Sequence, residues 1–139
     1  MAGLLDSDRE MVVWWGTAVE CHSAFRRLEA QGLRVNVLPK RATLLEHLGD
    51  IANHRCLVSG DSLPMHLALG LGIPCVTIFN CTSPWEIHDY GLQTKLVSPL
   101  LAEFFYKRGM DTRATTAIGL DEVFNAVLRR LQVPVVVAP

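Results

Sequence analysis

The 139-residue chain has no Cys-x-x-Cys pair, no apolar run long enough to span a bilayer and no surplus of one charge. Each absence removes a class of protein. Four cysteines (Cys21, Cys56, Cys75 and Cys81) lie scattered along the chain, a pattern that argues against a zinc site or a disulfide framework and fits a reducing compartment. A formal net charge of −1 provides no whole-chain field for nucleic acid or an anionic membrane. The pairs Arg26, Arg27 and Arg129, Arg130 read as solvated helix faces. The start has no basic residues followed by an apolar run, so no signal peptide is expected, and no transmembrane segment either. A cytoplasmic location is the default expectation. There is no internal repeat and no low-complexity tract, and no metal site and no cofactor is expected.

Half of the residues are apolar and 19% are charged, enough for one domain over residues 1–139 with a real core. Residues 1–10 read as a polar lead-in and 132–139 as a strand-like tail. Between them, strand and helix signals alternate. Met11–Trp15 reads as a strand ended by Gly16. Cys21, Phe25 and Leu28 recur at helical spacing up to a stop at Gly32. Leu33–Leu38 is a second strand. Thr43 and Glu46 have capping-box spacing, opening a helix with the stripe Leu44, Leu45, Leu48 and Ile51. Arg55–Ser59, Cys75–Phe79 and Thr94–Val97 read as further strands, and Leu100–Lys107 as a short helix. Asp121 caps a last helix with Val123, Phe124, Val127, Leu128 and Leu131 on its buried face. This alternation predicts an α/β fold, a parallel sheet with helices on both faces.

The stretch Leu57–Phe79 is the most informative. It reads as a buried strand, a tight polar turn, an apolar helix with Gly72 and Pro74 as its stop, and a second buried strand. Asp61, Ser62 and His66 gather where strand passes into helix. In parallel α/β sheets this is the ligand edge, and the amides of a helix start suit a phosphate. A nucleotide or nucleotide-sugar site is therefore implied. Each residue also has a plain explanation. Asp61 or Ser62 is a good N-cap in front of Pro64, and His66 would serve as a hydrogen-bonded, half-buried histidine. Met65, Leu67, Leu69 and Leu71 read as packing residues, and Gly70 as a close approach to a neighbouring strand. The loop from Asn80 to Gly91 is rich in hydroxyl, acidic, imidazole and aromatic groups. Either it carries function or it is a surface loop anchored by Trp85 and Tyr90.

Gly60, Asp61, Ser62 and Leu63 also spell the signature of a serine esterase family. No Asp-x-x-His follows, and His88 is the last histidine. Without a base Ser62 is not activated, and that reading fails.

With these residues in view, the chain resembles the donor-binding C-terminal half of glycosyltransferase family 9, the ADP-heptose:lipopolysaccharide heptosyltransferases. Trp15 and Gly16 with Glu20 form one matching block. Val37 to Arg41, followed by Leu44 and Leu45, form a second. Val58 to Ser62, His66 to Ala68, Ile73 and Pro74, then Thr82 to Pro84 form the third and most specific. The similarity runs from about Val12 to Leu131. It implies a Rossmann-like domain of a GT-B glycosyltransferase, with a nucleotide sugar (ADP-heptose or a relative) as donor and lipopolysaccharide core as acceptor. By the resemblance, Glu20 would accept the ribose hydroxyls and Arg41 would lie against the adenine. Asp61, Ser62, Leu63 and His66 would surround the diphosphate and sugar, with Thr82 nearby.

Three residues depart from the family pattern. Leu63 stands where the family usually has glycine, and Asn80 and Cys81 replace Gly-Pro before Thr82. The matched blocks also have no counterpart of the acceptor domain with its catalytic carboxylate, or of the first strand–helix unit with its phosphate-binding lysine. The isolated chain is therefore expected to be inactive or nearly so. Its sheet edge should be closed by a homo-oligomer partner, by the acceptor domain, or by the tail at Val133–Val137. A lipid-linked acceptor would bring it to a membrane surface only peripherally. The other reading is a non-catalytic binding or assembly module that keeps the fold.

Overall fold

The computed structural model describes residues 11–13, 30, 32, 35–39, 41–109 and 111–132. The expected lead-in, the Cys21–Leu28 helix, Glu20 and the Val133–Val137 tail fall outside them. The chain divides into two compact units, residues 1–43 and 44–139.

In the first unit, β1 (Met11–Val13) and β2 (Val35–Val37) pair in parallel, Met11 opposite Val35 and Val13 opposite Val37. Gly32 takes φ +77°, the left-handed conformation expected of a helix-stop glycine.

The second unit runs α1 (Leu44–Ala52), β3 (Leu57–Gly60), α2 (Leu63–Leu71), β4 (Cys75–Phe79), a single 3-10 turn (Pro84–Glu86), β5 (Gln93–Val97), α3 (Leu101–Phe104), α4 (Arg113–Thr116) and α5 (Leu120–Gln132). Its strands form one parallel sheet in the order β3-β4-β5, with Leu57 opposite Cys75 and Cys75 opposite Gln93. The α/β architecture is as expected. β4 lies in the middle with both faces covered, which explains a run that is apolar but for the buried Thr77. Alternate residues point to opposite faces. Cys75 and Phe79 pack with Ile51, Met65 and Ala68 under α1 and α2. Val76 packs with Leu96, Ile118 and Ala126 under α5, with Val123 and Val127 against them. Fully burying one side chain such as Phe79 contributes about 2–3 kcal/mol.

Several details differ from the sequence reading. In α1 only Ile51 is buried, while Leu44 and Leu45 are exposed, because the helix is covered toward its C-terminal end. α2 does have a solvent face, with Leu63, His66, Gly70 and Leu71 exposed and only Met65 and Ala68 fully buried. Gly70 makes no close approach among the described residues, since a Cβ added there would meet none of their atoms within 4 Å. The helix near residue 100 stops at Phe104, where Tyr106 takes φ +52° and donates its N–H to the Cys81 carbonyl at 2.7 Å.

Candidate functional site

All three strands of the second unit run the same way, so their C-terminal ends open on one edge. The turn after β3 (Asp61, Ser62), the loop after β4 (residues 80–91) and Ser98 after β5 all lie there. This is the edge that parallel sheets use for ligands.

The β3 turn is built by the start of α2. Ser62 occupies the N-cap position with extended backbone, and Pro64 sits in the first turn, where its missing N–H costs nothing. The Ser62 carbonyl accepts from Met65 N–H at 3.1 Å and from His66 N–H at 3.4 Å. Its hydroxyl makes no capping bond. It donates to the Gly60 carbonyl at 3.3 Å and sits 3.1 Å from the Ser59 hydroxyl. Capping by side chain therefore does not account for Ser62. The main-chain N–H groups of Asp61, Ser62 and Leu63 have no hydrogen-bond partner among the described residues. The turn is open: Asp61 is half-buried, and Ser62 and Leu63 are exposed.

His66 is not the hydrogen-bonded, half-buried histidine of the plain reading. Its side chain is 56% exposed, with Nε2 at 3.8 Å from Asp61 Oδ1, a separation that becomes an ion pair when the ring is protonated. Asp61, His66, Leu69 and Gly70 form one wall of an open cleft of about 810 Å³, and Glu86, Ile87, His88 and Tyr90 form the other. His66 and Gly70 are four residues apart, and therefore on one helix face.

The second wall is a loop held from outside. The half-buried Lys95 ammonium on β5 donates to the carbonyls of Pro84 and Ile87. The Tyr106 hydroxyl donates to the Glu86 carboxylate at 3.2 Å. Desolvation, together with the Glu86 carboxylate, pushes the Tyr106 phenol above its ordinary pKa. At the tip, Asp89 Oδ1 accepts the Gly91 N–H at 2.9 Å, which holds the Asp89 carboxyl below its ordinary range. Tyr90 N–H donates to His88 Nδ1 at 3.0 Å. Trp85 and Tyr90 are 78% and 68% exposed, so neither anchors the loop as the plain reading required. Lys95 does that instead.

Of the residues singled out in the sequence, Asp61, Ser62, Leu63 and His66 come together at the β3 turn. Thr82 is half-buried in the loop after β4 and does not line the cleft. Arg41 is half-buried in the first unit, and Glu20 lies outside the described residues. Leu69, Gly70, Glu86, Ile87, His88 and Tyr90 were not singled out as site residues. The mixed polar and aromatic composition of the 80–91 loop was the available signal for part of that wall, but Gly70 gave none beyond its cost to a helix. Among the described residues no three His, Cys, Asp or Glu side chains are grouped to hold a metal ion. No helix of these residues is long and apolar enough to cross a membrane.

A family model described as glycosyltransferase family 9 (heptosyltransferase) matches residues 2–106. That span contains every site residue named above and ends before α4 and α5, short of the Leu131 limit of the resemblance. No curated protein and no solved structure gives a match.

Proposed function

Because the chain belongs to glycosyltransferase family 9 (heptosyltransferase), we propose that it is the donor-binding domain of a glycosyltransferase using a nucleoside diphosphate sugar. The open turn after β3 carries this reading. Three amides without a hydrogen-bond partner among the described residues, those of Asp61, Ser62 and Leu63, sit at the carboxyl end of a parallel strand. The first turn of α2 adds positive potential there. A diphosphate would accept from these amides, with the His66 imidazole beside it.

In this reading Glu20 accepts the ribose hydroxyls, Arg41 stacks on the adenine, and Asp61 and Thr82 lie toward the sugar. The reaction would be inverting transfer of a heptose or related sugar to a lipopolysaccharide core, on the cytoplasmic side. The lipid-linked acceptor would supply the membrane association. A non-catalytic module that retains the fold is favoured by one feature, Leu63 at the turn where the family has glycine. Its side chain is 54% exposed, so it shares the approach to the amides without plugging it.

Calorimetric titration with ADP and with an ADP-sugar tests the proposal. Glu20→Ala and His66→Ala are each expected to weaken binding about tenfold or more, the equivalent of ~1.4 kcal/mol. Binding untouched by both substitutions refutes the site assignment. If the wild-type chain binds neither nucleotide, the non-catalytic reading replaces this one.

A further inference from the structure

A second cleft, of about 370 Å³, opens at the end of β4 and shares no lining residue with the first. Asn80 and Cys81 form one side, and residues drawn from 103–109 and 111–114, where α3 passes into α4, form the other. It belongs to the second unit alone and lies on the ligand edge of the parallel sheet.

Its charges differ in kind from those of the first cleft. Lys107, Arg108 and Arg113 bring three cations, and Glu103 and Asp111 two carboxylates. One cation takes both carboxylates. Arg113 Nη2 lies 2.9 Å from Asp111 Oδ2 and 3.2 Å from Glu103 Oε1, and its Nε donates to Asp111 at 3.1 Å. Lys107 and Arg108, both exposed, have no carboxylate partner among the described residues. Two adjacent positive charges therefore line the cleft unanswered.

These charges are also gathered rather than spread. The Arg113 guanidinium carbon lies 5.0 Å from the centroid of the Phe104 ring, and Lys107 Nζ lies 5.9 Å from the same centroid. One ring thus holds two like charges in one place, a repulsive arrangement that an oxyanion between them relieves. Cations that follow a helix commonly answer its dipole. At four residues, α3 is too short to require two of them.

We propose that this cleft is an oxyanion site that takes the phosphate monoester of a small ligand. The Arg108 guanidinium binds the phosphate oxygens as a fork and the Lys107 ammonium as a point charge. Arg113 is a positioning residue, which ties α4 to α3 through Glu103 and keeps both carboxylates occupied. The volume falls in the range of small-molecule sites, so an organic group fits behind the phosphate. A soluble phosphate ester and a lipid headgroup share this chemistry. The site is separate from the amides of residues 61–63 and does not depend on the glycosyltransferase reading.

Amide NMR titrations of the whole chain with inorganic phosphate, phenyl phosphate and ADP, at constant ionic strength, test this. Phosphate and phenyl phosphate are expected to shift the resonances of Cys81, Lys107, Arg108 and Gly109, with Kd on the order of 1 mM. Lys107→Gln combined with Arg108→Gln should weaken binding about tenfold or more, whereas Lys107→Arg should retain it. Arg129→Gln, an exposed change on α5, is expected to leave it unchanged. All of these substitutions are at exposed positions, and Tm should stay within roughly 2 °C of wild type. Sedimentation with phosphatidylcholine vesicles containing phosphatidic acid separates the two sources. Protein carried down by these vesicles and released by phenyl phosphate indicates a lipid headgroup, and protein left in the supernatant indicates a soluble ester. The inference is overturned if neither phosphate shifts these residues, if the double variant binds as wild type does, or if Arg129→Gln weakens binding as much as the double substitution. Shifts by ADP at residues 61–63 with no phosphate response at 107–109 leave the donor-domain reading standing and remove this site. The converse pattern leaves this site standing and removes the donor-domain reading.

Discussion

Lys95→Met would remove the ammonium that supports the loop wall of the cleft while keeping most of the aliphatic stem. The wild-type ammonium donates to the carbonyls of Pro84 and Ile87, and two hydrogen bonds from a charged donor contribute about 1.5–3 kcal/mol each when fully desolvated. Lys95 is only half-buried, so water replaces part of what is lost, and the net cost is about 2 kcal/mol. For a domain of this length that lowers Tm by roughly 6–10 °C. If the loss is local to the loop, hydrogen exchange reports it first. The amides of Tyr90, Gly91 and Leu92, bonded to His88 and Asp89, should then exchange roughly 30-fold faster, while those of α5 change little. A variant within about 0.5 kcal/mol of wild type, with unchanged exchange at residues 90–92, would show that the loop does not depend on this ammonium.

Gly72 ends α2 in the left-handed region, φ +73°, with its N–H on the carbonyls of Ala68 and Leu69. Gly72→Ala should therefore destabilise by about 1 kcal/mol in chemical denaturation, opposite in sign to Gly70→Ala two residues earlier. Equal effects at the two positions would contradict the backbone argument. Burial pushes the Cys56 thiol from an ordinary 9.0 up to about 11, with the Cys75 thiol adding to the rise and Arg130 opposing it. Below pH 9 folded and unfolded chains both keep that proton and nothing is lost. Between pH 9 and about 11 the unfolded chain releases it first, so stability falls across that window. After allowance for partial exposure, the loss is on the order of 1–2 kcal/mol. Urea titrations of wild type and Cys56→Ala at pH 8.5 and 11 should differ in slope with pH, and identical pH dependence would refute the assignment to this thiol.

The parts of the fold that follow from local pattern were legible. β4 runs from Cys75 to Phe79 as expected, because a run between Pro74 and Asn80 that is apolar but for Thr77 has one good use, a central parallel strand. α2 and its glycine stop were equally plain. β3 starts at Leu57, two residues later than Arg55, because the Leu57 N–H is the one that reaches across to the Pro74 carbonyl at 2.9 Å. Arg55 instead sends its guanidinium to the Leu131 carbonyl at 3.3 Å. Apolar periodicity carries no trace of such a contact across 76 residues. α4 was not foreseen, since four residues cannot establish a helical period. Ala126 is buried against β4 and β5 although the larger Phe124 and Leu128 looked the better core candidates. A small side chain fits where the helix packs against Val76 and Leu96.

The two walls of the candidate cleft were legible to different degrees, and the reason bears on how the site would behave. Asp61, His66 and Gly70 lie within one turn and the helix it starts, so their grouping follows from a spacing of residues on a single element. Glu86, Ile87, His88 and Tyr90 take their places through groups outside the loop: Lys95 on β5, Tyr106 after α3, and Arg130 on α5, whose guanidinium donates to the Gly91 carbonyl at 2.8 Å and to the Thr94 hydroxyl at 2.7 Å. Such a wall inherits its shape from three elements at once. Its composition suggests function, but its position cannot be derived until the sheet and α5 are in place. It follows that residues far from the cleft govern its geometry. A change in α5 that leaves Asp61 and His66 undisturbed can still move Tyr90, whereas a change confined to α2 alters one wall only.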